Sequence, residues 1–283
     1  MGNDDFIGRT DLKRVNWVLL LGILAMESAL ANKLDTAIKL ASGEAQLMAA
    51  PASELQALKD RLKQLLKGDS VKDWQALAMK EAVSQHYVSL QELPTAKRGR
   101  GFFAIKKQAT KNWLLQAPHG DSDLYTGKIA SRLFIEGEFK AAQWNTVKRT
   151  IIDVAHSPDT YWQAFTQAFA EQFPDGKIIQ IHGYDQTIRK TEAGETSDMI
   201  ISAGHDTPPP WLQQAATCLK KAFPRRVSLY PLDVQELGGT TNVQGQLLRS
   251  LRHGGFLHIE MSKAMRLALR DNADKRKQFI ACL

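Results

Sequence analysis

Cysteine is scarce in this chain: Cys218 and Cys282 are the only two in 283 residues, so at most one disulfide can close. Long hydrophobic runs are missing too. The most apolar stretch, Val18 to Met26, is too short for a comfortable membrane span. No internal repeat and no low-complexity tract is visible, so nothing suggests a solenoid or a spacer. The net charge is +7, yet the basic residues are scattered, and no basic run is interleaved with aromatics as a nucleic-acid stacking platform would need. The densest cluster, Lys97, Arg98 and Arg100 after Pro94, reads as a solvated linker. A carboxylate-bearing substrate remains compatible with this charge balance, and nucleic acid is not an expected partner.

What is present is a globular composition, 43% hydrophobic and 24% charged, enough for one catalytic-sized domain with an appendage. Residues 1–31 read as a signal peptide. Lys13 and Arg14 precede the apolar run, and Ala29, Leu30 and Ala31 offer a small-residue cleavage site before Asn32. The expectation is export to the periplasm or beyond, with no membrane span left after cleavage. In an oxidising compartment Cys218 and Cys282 can pair and pin the C-terminal helix, the alternative being two unpaired thiols. Residues 32–94 read as helical: Leu55, Leu58, Leu62, Leu65 and Leu66 recur at helical spacing between Pro51 and Gly68, and a second helix is expected from Val71 to Leu90.

Residues 95–283 change texture to short apolar runs separated by helices and turns, which predicts a three-layer α/β/α sandwich with a mixed central sheet. Strands are expected at Gly101 to Lys106, Trp113 to Ala117, Trp144 to Ile152, Lys177 to His182, Met199 to Ala203, Arg226 to Leu229 and Phe256 to Met261. The first two should form an antiparallel pair. Helices are expected at Gly127 to Glu136, Asp159 to Phe173, Pro210 to Phe223, and from Ser262 towards Cys282.

The chemistry-bearing residues gather at strand ends, where open α/β sheets bind ligands. His119 and Asp123 follow the strand that stops at Pro118, and Gly120 lets the turn between them be tight. His182 ends the run Lys-Ile-Ile-Gln-Ile-His, and His258 and Glu260, two apart, share one face of a late strand. A glutamate with such apolar neighbours needs a partner or a task. Imidazoles and a carboxylate holding an ion with an open position, beside a carboxylate that takes a proton, are the parts of metal-assisted hydrolysis. For the second ligand, Asp121 is the rival of Asp123, and for Asp123 the alternative duty is to cap the following helix.

The series Ala117-Pro118-His119, Asp123-Leu124-Tyr125-Thr126-Gly127, Ile181-His182-Gly183, Gly238-Gly239-Thr240-Thr241-Asn242 and His258-Ile259-Glu260-Met261 resembles the N-formylglutamate amidohydrolase-like branch of the zinc carboxypeptidase superfamily. The resemblance covers roughly residues 101–267. It implies one zinc ion per chain on His119, Asp123 and His182, with Glu260 as general base. It also implies an arginine that holds a substrate carboxylate, for which Arg149, with Asn145 before it, is the nearest candidate. His156 and Asn242 are further candidates for substrate contact. The usual carboxypeptidase pair is HxxE, whereas the residue three after His119 is Ser122 and the carboxylate falls one later. The expected reaction is hydrolysis of an amide bond in a small-molecule or peptide substrate bearing a carboxylate. Two other readings stay open. A zinc deacetylase of amino sugars would want a pair of histidines on one downstream helix, which is not seen here, and an exported binding protein would keep the cleft without a working metal.

Overall fold

The computed structural model describes residues 8–43, 45, 48–95, 97–120, 122–223 and 227–283, with the side chains of the first helix described from residue 25 onward. Asp121 lies outside the described residues, as do the side chains of Lys13, Arg14 and most of the apolar run before Ala25.

Among these residues nine strands form one mixed sheet: β1 (Met79–Val83), β2 (Tyr87–Glu92), β3 (Phe102–Lys106), β4 (Lys111–Ala117), β5 (Phe139–Trp144), β6 (Lys177–Gly183), β7 (Met199–Ser202), β8 (Val227–Leu229) and β9 (Phe256–Met261). Their spatial order is β1-β2-β3-β5-β4-β6-β9-β7-β8. The central strands β5, β4, β6 and β9 run parallel. Helices cover both faces, so the architecture is the expected three-layer α/β/α sandwich. On one side pack α1 (Gly8–Ala41), α3 (Thr126–Glu136), α6 (Pro210–Ala222), α8 (Lys263–Asp271) and α9 (Ala273–Ala281). On the other lie α2 (Ala52–Lys67), α4 (Tyr161–Gln172) and α7 (Val243–Ser250). A short α5 (Glu192–Thr196) precedes β7.

From β4 the chain crosses through α3 to β5 on one side, and from β5 through α4 to β6 on the other. The C-terminal ends of β4 and β6 therefore flank a point where the strand order reverses, which opens a crevice in a parallel sheet.

Several expectations need correcting. Residues 71–90 are not a helix. Asp73 and Ala78 take left-handed backbone angles that break one, Trp74–Leu77 form a single 3-10 turn, and Met79–Val83 pairs with Tyr87–Glu92 as an antiparallel hairpin extending the main sheet. The helix at 52–67 is as expected and packs Leu58, Leu62 and Leu66 against Phe165 and Phe169 of α4, so this region belongs to the core. β3 and β4 do not pair. β5 lies between them, and the four linking residues step across about 10 Å, two strand spacings. The strand expected at 144–152 instead ends at Trp144, because the Asn145 side chain accepts the backbone N–H of Val147 and turns the chain. The last helix is two, since Asn272 ends α8 and caps α9 through Lys275.

Cys218 on α6 and Cys282 after α9 form a disulfide with Cα atoms 5.4 Å apart, so the C-terminus is tied to the sheet-covering layer. α1 runs unbroken through Ala31, and Ala31, Leu34 and Ile38 are buried in the same layer. Among the described residues no helix is long and apolar enough to cross a membrane.

Candidate metal centre

The turn after β4 closes tightly: the backbone N–H groups of Ser122 and Asp123 both donate to the His119 carbonyl, at 2.9 and 2.7 Å. That brings the side chains of His119 and Asp123 to one side. Gly120 and Gly127 touch backbone to backbone, and a Cβ on Gly127 would lie 3.2 Å from the Gly120 Cα, so the start of α3 can press against the turn. Asp123 is not the cap of α3. Its Oδ2 accepts the Gly183 backbone N–H at 2.9 Å and faces His119 Nδ1 at 3.4 Å and His182 Nδ1 at 3.6 Å. The two Nδ1 atoms are 3.1 Å apart, and all three side chains are buried.

What each nitrogen can do follows from its other side. His119 Nε2 faces Asp153 Oδ1 at 2.9 Å, an acceptor, so that nitrogen carries the hydrogen. His182 Nε2 faces Gln180 Oε1 at 2.8 Å. The orientation of Gln180 is set from two directions. Asn242 Oδ1 caps α7 by accepting from Gln244 and Gly245, so its amide nitrogen is the group that donates to Gln180 Oε1. Gln244 Nε2 donates to the Val154 carbonyl, which leaves Gln244 Oε1 to accept from Gln180 Nε2 at 3.1 Å. His182 Nε2 is therefore also a donor. Both Nδ1 atoms then present lone pairs, to each other and to a carboxylate oxygen. Three electron-rich atoms this close repel one another unless a proton or a cation lies among them. The donor set of two imidazoles and one carboxylate fits a borderline-soft divalent ion such as zinc, and carboxylate or amide partners behind the ligating imidazoles are what such sites use to fix their tautomers.

The titration behaviour follows the same electrostatics. Burial pushes the pKa of His119 down, but its hydrogen bonds to Asp123 and Asp153 outweigh this and leave it raised. Burial lowers the pKa of His182 despite the pull of Asp123. For Asp123 and Asp153 burial acts upward, and the histidines overcome it, holding both carboxyls well below their usual range.

His258 and Glu260 of β9 sit one register step beyond: Gln180 pairs with His258 and His182 with Glu260. The His182 and His258 rings lie 4.6 Å apart between centroids. Glu260 is 12% exposed at its side chain, its Oε1 is 3.8 Å from His258 Nε2, and its Oε2 is buried without a hydrogen-bond partner. Burial, reinforced by the charge of Asp123, raises its pKa to about 8. No ion pair joins it to Arg266 within 4 Å among the described residues. His182, His258 and Glu260 form a second group whose ligand atoms lie within 4.8 Å of one another.

The remaining candidates divide. Arg149 stands in a loop, half exposed, and its Nε donates to Asp153 Oδ2 at 2.9 Å, so it steadies the carboxylate behind His119. Asn145 is buried, with its carbonyl oxygen engaged by Val147 and its NH2 group without a partner. His156 is exposed at the same loop. Asn242 is 2% exposed and turned inward, with its oxygen capping α7 and its amide bonded to Gln180, so it serves the site through Gln180 and does not face a substrate. Sequence reasoning missed Asp153, Gln180 and Gln244. Gln180 had a signal, being two residues before His182 and so on the same face of the strand.

Several solved structures resemble this chain, two of them as follows. N-formylglutamate amidohydrolase from Ralstonia eutropha JMP134 is 11% identical, with a TM-score of 0.45, over 65% of this chain and 96% of its own. A metallo-carboxypeptidase from Burkholderia cenocepacia is 10% identical, with a TM-score of 0.39, over 82% of this chain and 67% of its own. No family model and no curated protein matches. Likenesses this distant carry no functional assignment, which has to come from the residues.

Proposed function

We propose that the chain is a metal-dependent hydrolase that cleaves an amide bond in a small-molecule or peptide substrate bearing a carboxylate, with one zinc ion held by His119, Asp123 and His182. The observation that carries this reading is the convergence of three lone-pair donors, His119 Nδ1, His182 Nδ1 and Asp123 Oδ2, 3.1 to 3.6 Å from one another, each imidazole held from behind by an acceptor. An ion bound there supplies Lewis-acid activation of the amide carbonyl and of water.

The rest is done by the chain itself. Glu260, with one oxygen unpartnered and a pKa raised to about 8 by burial, takes a proton from water and returns it to the leaving amine. Asp153 and Gln180 keep both ligand imidazoles in the tautomer that offers Nδ1, with Arg149 steadying Asp153 and Asn242 steadying Gln180. The unpartnered NH2 of Asn145 is a candidate donor to a substrate carbonyl, and the exposed His156 a candidate contact at the rim. Export to the periplasm or beyond is part of the reading, supported by the apolar run Val18 to Met26 with Ala29, Leu30 and Ala31 after it, and by the Cys218–Cys282 bridge.

The test is metal content by mass spectrometry on the purified chain and its His182→Ala variant, followed by amide hydrolysis with Glu260→Gln. About one zinc per chain, lost in His182→Ala, with turnover in the wild type and a drop of at least about a hundredfold in Glu260→Gln, is the expected result. A folded wild type that takes up no zinc after soaking would end the hydrolase reading.

A further inference from the structure

His258 is 4% exposed, and among the described residues neither of its nitrogens makes a hydrogen bond. Nδ1 is buried with no partner, and Nε2 faces Glu260 Oε1 at 3.8 Å, beyond hydrogen-bond reach. Glu260 Oε2 is buried and unpartnered too. A buried imidazole normally spends a nitrogen on a neighbouring group, as His119 does on Asp153, His182 on Gln180 and His253 on the Phe173 carbonyl. The His258 ring is also held in place. The His182 ring lies against it, and an added Cβ on Gly239 would fall 2.8 Å from its Cγ. Gly239 has a φ of +62°, so glycine serves there both the left-handed backbone and the close approach. Because Nε2 faces a carboxylate oxygen, it is the nitrogen that carries the hydrogen. A rigid N–H therefore stands beside the proposed base with nothing bound to it. The grouping of His182, His258 and Glu260 could suggest a second ion. Both nitrogens of His182 are committed, however, Nδ1 towards His119 and Asp123 and Nε2 to Gln180. Two ligands remain, too few to hold a divalent ion in a closed site.

From this geometry we infer that His258 is a further catalytic residue, whose Nε2–H donates to the amide carbonyl oxygen as that oxygen gains negative charge on attack by water. The inference rests on the hydrolase reading and deepens it. His258 keeps its proton throughout, and Glu260 alone transfers one. Once Glu260 has taken the proton from water it is neutral, so the oxyanion grows beside an acid and an N–H, free of repulsion from a carboxylate. A donor already fixed by packing needs no reorganisation at that moment, which is why such groups act strongly on developing charge. Asn145 at the end of β5 and His258 on β9 flank the ligand strands β4 and β6, so the two donors approach a substrate from opposite sides of the metal centre.

The probe is methylphosphonate, whose oxygens are arranged tetrahedrally, with planar acetate as its control. Each is titrated calorimetrically into the zinc-loaded full chain. His258→Phe, which keeps a ring without the N–H, should weaken methylphosphonate at least about tenfold and acetate less than about threefold, with zinc uptake unchanged. His258→Gln, which retains an N–H donor, should recover part of the loss. In the wild type, isotopically labelled at its histidines, the Nε2–H resonance of His258 should move downfield when methylphosphonate is added, a readout that stands if neither variant folds. No methylphosphonate binding to the zinc-loaded wild type, full affinity in His258→Phe, an equal loss for acetate, or an Nε2–H resonance that stays in place would overturn the inference. So would a second zinc ion per chain that disappears in His258→Phe, since His258 would then be a ligand. Zinc uptake is read on the same samples. Uptake with methylphosphonate affinity indifferent to His258 ends this inference alone, whereas a folded wild type that takes up no zinc ends the hydrolase reading and this inference with it.

Discussion

The two faces of the central sheet are built from alternate residues of the same strands, and they have different jobs. Towards α1, α3, α6, α8 and α9 the middle strands present Leu115, Ala117, Ile179, Ile181, Leu257, Ile259 and Met261, all buried and apolar. Towards α4 and α7 the same strands present Gln116, Gln180, His182, His258 and Glu260 among fewer apolar side chains. Gln143, Gln116, Gln180 and His258 are in register across β5, β4, β6 and β9, a polar row through the middle of the core. Its members are bonded onward: Gln180 to Gln116, and Gln116 to Thr166 of α4, which in turn donates to the Trp162 carbonyl. One face is held by area removed from water, which tolerates repacking. The other is held by directional bonds that fix one orientation for each group, and that orientation is what points His182 Nδ1 at His119 Nδ1 and Asp123 Oδ2.

This contrast can be broken from either side. The largest effect is expected on the polar face at the ligands: His119→Ala should lose stoichiometric zinc binding, as should His182→Ala, read by mass spectrometry of the native protein. On the apolar face Ile181→Ala should cost about 3 kcal/mol in denaturant unfolding, while zinc affinity stays within about threefold. Loss of zinc affinity in Ile181→Ala beyond that would mean the faces are not separable.

Glu260→Gln should make the metal-free protein more stable at pH 8, by about 2 kcal/mol. The sign follows from the raised pKa of Glu260: the folded state holds this proton more tightly than the unfolded chain, so the wild type loses stability as pH rises from the ordinary carboxyl range towards 8. The glutamine cannot lose that proton, and the gap should close near pH 4.5. Equal stability curves for the two proteins across this window would show that Glu260 is better solvated than its surroundings imply. The smallest effect is expected from Gln180→Leu, which keeps the shape of the strand but leaves His182 Nε2 without its acceptor. Zinc affinity should fall about tenfold. An unchanged affinity would reduce the polar row to a packing feature.

Much of this was legible in the residues. Each of the central strands β4, β6 and β9 was visible as a short apolar run, and the clustering of His119, Asp123, His182 and Glu260 at strand ends could be read before any fold was known. The 71–90 segment was not, because what replaces the helix there, left-handed backbone at Asp73 and Ala78 and the pairing of Tyr87–Glu92 with Phe102–Lys106, shows only when the chain has packed. Asn242 is a candidate substrate contact only through the resemblance of the Gly238–Asn242 stretch, whereas its partners, Gln180 and the N–H groups of α7, are 62, 2 and 3 residues away in sequence.

By itself the sequence determined the layered α/β architecture and the places of the histidines and carboxylates at strand ends, since hydrophobic period and residue chemistry are local properties. Tertiary structure decided the order of the strands and which nitrogen of each histidine is free. It also decided that His258 Nε2 faces Glu260 without a hydrogen bond, because each of these depends on groups brought together only when the chain has packed.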